Sequence, residues 1–472
     1  MGVFIYRSAD GKGSINWQDI TLRWMYRQSP NAVHDTMTVS IQVFAIEMVY
    51  IPQGSFYLGD GNMSFAPSSN SFRVNNQAPT IPKGNEAYLV QSEDAITFVN
   101  SSSTSLTDAY DPTTYTSSDY TLPASFPKGY TAFYCMKYEI SQKQYVDFFN
   151  TLNAAVTTQK SNRNLGNTGS YRNNFSWSGV AGVDATLSGS VSGDRAQNYI
   201  NWADGCAYAD WAALRPMSEM EYEKVCRGNA YGIGPIYPVN LEYAWGNTVI
   251  KPIFKTLVND GLINERLGSG DTSNCNYNNT SYAQGPVRVG IFAAKNPTSF
   301  KRRATGASYY GVMELSGNLS EPVVSTFIPY GYYSSYCTVP QPAFSRNIHG
   351  DGLLNTNGNC DIPSWSNNPA YYSEVTSSPS YGHPYNSSSY CYGSNGPNQA
   401  AIAKLKGGSW GSTSTNYLRT SDRSLCPYVP SSVTSHSMRG SYSTTSSATS
   451  ATNADVYQRN PYQGFRCVRT VP

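Results

Sequence analysis

Helical periodicity is confined to three short stretches of this chain, and that restriction governs what it can fold into. Ser141 is followed three residues on by Gln144, a capping box in which the hydroxyl accepts an N3 amide and the amide side chain reaches back. Tyr145, Phe148, Phe149 and Leu152 then share one apolar face. A second stretch runs from about Trp202 to Leu214, grouping Tyr208, Trp211 and Leu214, until Arg215-Pro216-Met217 breaks it. Ser218 and Glu221 form another capping box, and Gly228 stops the short helix they open. Two main helices, short strands and abundant loops make the class α+β.

The strand signals lie early. Ile20-Leu22-Trp24-Tyr26 alternates with polar partners and Val39-Ile41-Val43 repeats the period, the mark of a half-buried strand. Residues 1–46 therefore read as a β segment, part of a sandwich or an edge that pairs with a neighbouring chain. Met48 to Gly59 reads as strand, Pro-x-Gly turn and strand. Residues 47–472 form one domain with polar, loop-rich insertions at about 60–128, 153–195 and 322–404. The last is far longer than loops of compact domains, and its many aromatics point to an ordered contact surface.

Composition narrows the function. Net charge is +2 and only 14% of the 472 residues are charged, which leaves no basic field for nucleic acid. No run approaches the ~18 apolar residues of a membrane span. The segment Met1–Arg7 has neither the basic nor the apolar region of a signal peptide, and the chain is read as a mature form, a gene product exported with a partner, or a fragment. With 38 Tyr and few Lys or Glu, an extracellular or cell-surface protein fits better than a cytosolic enzyme. The nine cysteines are dispersed with no C-x-x-C, so zinc is not expected, and buried thiols with a few disulfides are.

Seven segments in order resemble the formylglycine-generating enzyme (sulfatase-modifying factor) family, whose fold is a variant of the C-type lectin fold. They are Met48–Phe56, Tyr138–Tyr145, Asn201–Trp211 continuing through Arg215 to Arg227-Gly228, Ala244–Asn247, Tyr310–Asn318, Gly407–Trp410 with Arg419 and Arg423, and Gly464–Val468. The resemblance implies that residues 48–58 lie near 464–470. It also implies copper held by two cysteines in the loop after Gly-Gly-Ser-x, since thiolates suit Cu(I). That loop here, Gly411–Leu418, contains no cysteine, so no copper and no oxidase activity are expected. Related iron enzymes need two His and a carboxylate; His34, His349, His383 and His436 show no such spacing and read as exposed loop residues. Gly407-Gly408-Ser409-Trp410-Gly411 satisfies G-x-S-x-G, but no helix pattern follows to make a nucleophile elbow.

By the same resemblance, a structural calcium would be held by Glu314, Gly317, Leu319 and Glu321, although Ser320 and Pro322 replace the family's flanking aromatics. Asn355–Asp361 is a second oxygen-rich loop, read as an Asx turn. The family's disulfides imply Cys206 with Cys467 and Cys226 with Cys426. Tyrosines with Ser, Gly and Asn make adaptable contact surfaces, as in antibody paratopes. Tyr330, Tyr332, Tyr333, Tyr336, Tyr371, Tyr372 and Tyr417 are the candidates here. The reading is a non-catalytic adhesin-like or self-associating protein that binds a protein or glycan surface, or copies of itself. The alternatives are an oxidase with a relocated metal site and a variable-loop display protein varying within residues 409–460.

Overall fold

The structure is a computed structural model. It describes residues 5, 18–19, 21, 34, 36–39, 41–60, 71–74, 87–99, 109–110, 120–232, 234–235, 237–294, 301–326, 344–362, 364–365, 403–423 and 459–471. The chain divides into two units, residues 1–46 and 47–472. In the first unit, the alternating segment around Ile41 belongs to no strand, and its side chains are exposed. It is not the half-buried strand that its period predicts.

The second unit is built on a four-stranded antiparallel sheet in the order Met48–Ile51, Phe133–Met136, Cys467–Thr470, Arg215–Pro216. Residues from the two ends of the domain thus meet in one sheet, but Phe133–Met136 separates them rather than leaving them side by side. Burial explains the order. Phe133, Cys135 and Met136 are buried and suit a central strand, whereas Met48–Ile51 leaves Tyr50 exposed and takes the edge. Ile51, Phe133, Cys135, Met217, Tyr222, Val225, Leu315 and Val468 form one core cluster.

The helices start where the side chains direct. Helix α1, Gln142–Thr151, has Ser141 as N-cap with the complete capping box, and buries Tyr145, Phe148 and Phe149. A short helix α2, Thr157–Arg163, falls in a segment read as loop. It has no apolar face; Lys160 and Arg163 are buried instead, Lys160 on Asp184 and Arg163 on Asp204. Helix α3, Trp202–Trp211, is opened by an Asn201–Asp204 capping box and ends before Leu214, where Ala213 turns to φ +55°. Helix α4, Glu219–Arg227, carries the Ser218–Glu221 box and stops at Gly228, φ +91°. No helix among the described residues is long and apolar enough to cross a membrane.

The insertions are anchored. Residues 60–128 hold a small sheet of Arg73–Val74, Ala109–Tyr110, Ile96–Val99 and Tyr120–Leu122, and Tyr88–Val90 pairs with Phe56–Leu58. Phe175–Ser176 pairs with Thr186–Leu187 within the second insertion. The third is closed at its base, where Glu321–Val324 pairs antiparallel with Ala403–Lys406.

Buried ion pairs tie these parts together. Arg466, fully buried, donates Nε and Nη2 to Glu321 at 3.0 and 2.7 Å, while Nη1 reaches the Met136 carbonyl and Nη2 also the Met313 carbonyl, at 2.8 Å each. Arg215 grips Glu221 at 2.8 and 2.5 Å, Arg423 grips Glu219 at 2.7 and 2.9 Å, and Arg459 grips Asp204 at 2.7 and 2.6 Å. Burial alone would raise the Glu219 carboxyl; Arg423 and Lys404 reverse that and hold it below its ordinary value.

Two predictions follow from this packing. Arg466→Met strips the partner from a buried carboxylate and is expected to cost about 3–5 kcal/mol in urea denaturation. Adding Glu321→Leu is expected to restore only part, because the Met136 and Met313 carbonyls stay orphaned. His349 is half-buried rather than an exposed loop residue, and its Nε2 accepts the Thr470 N–H at 3.0 Å. Burial, with Arg215 and Arg469, lowers it to about 3. The unfolded chain therefore takes up a proton near pH 6.5 that the folded chain refuses, and stability falls as pH drops from about 6.5 towards 3. His349→Gln is expected to remove about 1 kcal/mol of the loss between pH 7.5 and 5, read from urea midpoints.

Candidate functional site

The loop after the Ala403–Lys406 strand is set by two glycines. Gly407 and Gly408 have φ of +84° and +62°, and a Cβ on Gly407 would lie 2.4 Å from the Leu315 carbonyl oxygen. This lets the chain run against the Leu315–Asn318 turn, with Gly317 N–H on the Gly407 carbonyl and Trp410 N–H on the Asn318 carbonyl, each at 2.8 Å. Inside the loop, Ser409 N–H donates to Ser412 Oγ at 2.9 Å, and the two buried hydroxyls face each other at 3.4 Å. Ser409 thus meets a hydroxyl, not an imidazole. Only a short 3-10 turn, Thr415–Leu418, comes after it, so no nucleophile elbow is formed. Tyr417, in that turn, is half-buried against a cluster of Tyr243, Trp245, Cys275, Tyr277 and Leu418.

Trp410 begins an aromatic cluster that sequence reading missed. Its ring lies 5.0 Å from that of Tyr462 and 5.3 Å from that of Tyr171, a residue 46% exposed. Tyr171 and Arg172 both have positive φ, +46° and +64°, which costs a non-glycine residue about 1–3 kcal/mol. The surroundings hold that backbone. Asn198 Nδ2 donates to the Tyr171 carbonyl at 3.0 Å and Gln142 Nε2 to the Arg172 carbonyl at 2.7 Å. Arg172 Nη2 bonds Asp260 at 2.6 Å and Glu265 at 3.0 Å. Asn198 also reaches the Pro461 carbonyl, which accepts Trp410 Nε1–H at 2.9 Å. An exposed phenol is thus backed by a buried indole and fixed by a strained, over-determined turn.

The carboxylates expected to hold calcium have protein partners. Glu321 has both oxygens on Arg466, and the Leu319 N–H donates to Glu139 at 2.9 Å. Glu139 also accepts from Asn318 Nδ2. Glu314, φ +57°, accepts the Gly290 N–H at 3.0 Å through one oxygen, while its other oxygen is buried without a partner. Burial raises Glu314 to about 7. Gly317 lies in the turn beneath the Gly407 carbonyl. Of the two carboxylates in this set, Glu321 is taken up by Arg466 and Glu314 keeps one oxygen without a hydrogen-bond partner.

A different acidic group comes together at the end of α3. Carboxylate oxygens of Asp210, Asp351 and Asp361 lie within 4.8 Å of one another, the one such group among the described residues. Asp210 accepts the N–H of Asp351 at 3.2 Å and of Asp361 at 3.1 Å, and burial raises it to about 6. Asn355 forms the expected Asx turn, accepting the Asn357 N–H at 2.8 Å.

The cysteines do not pair as the resemblance implied. Cys206 and Cys467 are free, buried thiols; Cys206 Sγ points to the Trp365 carbonyl, and Cys467 sits in a central strand with its N–H on Met136 Sδ. Cys226 is also free, pushed up to about 12 by burial, and Cys426 lies outside the described residues. Buried, protonated thiols of this kind are poor nucleophiles and metal ligands. Tyr330, Tyr332, Tyr333, Tyr336, Tyr371, Tyr372, His383 and His436 likewise lie outside the described residues.

Comparison with solved structures gives distant likenesses. The chain is similar to PvdO from Pseudomonas aeruginosa at 14% identity over 90% of this chain and 95% of that one, with a TM-score of 0.33. It is similar to Treponema denticola variable protein 1 at 12% identity over 92% and 99%, with a TM-score of 0.33. The likeness to CarF has 12% identity over 61% and 83%, with a TM-score of 0.23. No curated protein matches. Residues 111–471, about three quarters of the sequence, match the family described as "Sulfatase-modifying factor enzyme 1-like domain". The chain therefore belongs to the sulfatase-modifying factor enzyme 1-like family.

Proposed function

We propose that this family member is a non-catalytic, extracellular or cell-surface protein that binds a partner or assembles, using the loop face around Trp410. One observation carries the reading: the loop after Gly407-Gly408-Ser409 turns hydroxyls inward, where the chemistry of the family's oxidases needs sulfur, and its buried Trp410 backs the exposed Tyr171. Hydroxyl oxygens are poor ligands for Cu(I), whereas an exposed ring on a buried indole is a ready stacking surface for a sugar ring or an apolar side chain. Strained backbone that the surroundings over-determine is concentrated at ligand clamps, which agrees with the fixed posture of Tyr171.

The test is a glycan array and a peptide pull-down with the full chain. Tyr171→Ala is expected to weaken the captured ligand about 5- to 10-fold and Tyr171→Phe to retain it. Tyr171→Gly, which accepts positive φ, is expected to lose binding with the denaturation midpoint changed by less than about 1 kcal/mol. Stoichiometric copper or iron in the purified protein, or oxidation of a cysteine-containing peptide, would overturn the reading in favour of an oxidase.

A further inference from the structure

Helix α3 turns one thiol towards a strap of the third insertion that carries another. Cys206 and Asp210 are four residues apart in the helix and share one of its faces, with about 5–6 Å between their Cβ atoms. Residues 349–365 cross the end of that helix, and the described residues among them form no helix or strand. Asp210 holds the strap: its carboxylate accepts the N–H of Asp351 at 3.2 Å and of Asp361 at 3.1 Å, and its carbonyl accepts the Gly352 N–H at 3.0 Å. The approach is close, since a Cβ on Gly350 would lie 2.3 Å from the Asp210 carbonyl oxygen. One turn back along α3, the Cys206 thiol donates to the Trp365 carbonyl at 3.9 Å. Cys360 lies between these two anchors. The N–H of the next residue is the one on Asp210, and Cys360 Sγ accepts the Ile362 N–H at 3.4 Å. Its thiol faces Cys206 and Asp210, the two groups whose charges act on it.

A disulfide needs Cα atoms about 4.4–6.8 Å apart, so the pair that forms is the pair whose backbones can settle at that distance. Cys206 has a second thiol neighbour in Cys467. That residue sits in a strand paired on both sides, with Phe133–Met136 and with Arg215–Pro216. A helix and a central strand are rigid, and they leave these two sulfurs unbonded. The strap has no ladder to break and can shift along α3. We propose that Cys206 and Cys360 form a disulfide in an oxidising setting, which pins residues 349–365 to helix α3. Of the proposed function this takes only the extracellular setting, and it is independent of the ligand face. Burial pushes both thiols well up when the strap is docked, so exchange begins with the strap lifted. With oxidised glutathione as the oxidant, the Cys360 thiolate attacks one glutathione sulfur, the glutathione S–S bond breaks, and one glutathione leaves as the thiol. On docking, Cys206 gives its proton to the Asp210 carboxylate one turn away and its sulfur attacks that of Cys360, releasing the second glutathione. Two protein thiols and one oxidised glutathione thereby become one protein disulfide and two reduced glutathiones.

Peptide mapping of the full chain tests it. The protein, purified reduced, is held in oxidised glutathione with urea below its unfolding midpoint. The remaining thiols are then alkylated, and the non-reduced protein is digested with trypsin and chymotrypsin for mass spectrometry. The expected product is a linked pair of peptides carrying Cys206 and Cys360, about 2 Da lighter than the two reduced peptides together. Cys360→Ser is expected to abolish that pair and Cys467→Ala to keep it. Dithiothreitol is expected to lower the urea midpoint of the oxidised parent and to leave that of Cys360→Ser unchanged, because the link restricts the unfolded chain. Cys206 recovered fully alkylated, joined to Cys467, or joined to any cysteine other than Cys360 overturns the proposal.

Discussion

Guanidinium groups locked onto buried carboxylates hold this domain in shape. The regular elements are short, so hydrogen-bonded ladders and apolar faces alone leave many segments loosely defined. Arg466 joins three separate stretches at once: the Glu321 strand, the Met136 carbonyl of the central sheet and the Met313 carbonyl beside the Glu314 turn. Two of the carboxylates have a second task. Asp204 and Glu221 are the N3 members of capping boxes and also receive Arg459 and Arg215, so that Asp204 fixes the start of a helix and a distant part of the chain at once, and Glu221 fixes a helix start and the strand just before it. Such pairs are costly to desolvate, and their value lies in satisfying every donor in one geometry.

That arrangement explains which parts of the fold could be read from the sequence. Capping boxes are local, and Ser141–Gln144 and Ser218–Glu221 open helices where the spacing places them. Apart from Arg215 and Glu221, the arginine partners are not local: Arg466 and Glu321 are 145 residues apart, and Arg459 and Asp204 are 255 apart. Helix α2 was illegible for the same reason, since TTQKSNR has neither an apolar face nor a cap and forms around Lys160 and Arg163 held by distant oxygens. Met48–Ile51 and Cys467–Thr470 share a sheet as expected, while the burial of Phe133–Met136, which puts that strand between them, is not written in the family likeness.

The site was legible by halves. The absence of cysteine from Gly411–Leu418 is plain in the sequence, but Ser412 filling the loop interior is not. The aromatic cluster unites positions 171, 410 and 462, and its signal is a left-handed tyrosine, a conformation that no residue type announces. Tyr417, chosen for surface contact, is half absorbed into a core cluster by the short turn it occupies. Asp361 was noted within an Asx turn; its meeting with Asp210 and Asp351 depends on the chain folding back over the end of α3.

The antiparallel closure of Glu321–Val324 on Ala403–Lys406 has a consequence for how such a protein can diversify. Because the two stems clasp each other, whatever chain is strung between them begins and ends at fixed points. Closure entropy grows only as the logarithm of length, so doubling that excursion costs about 0.6 kcal/mol. Lineages carrying this clasp can therefore lengthen, shorten or rewrite the intervening text while the body beneath keeps its form.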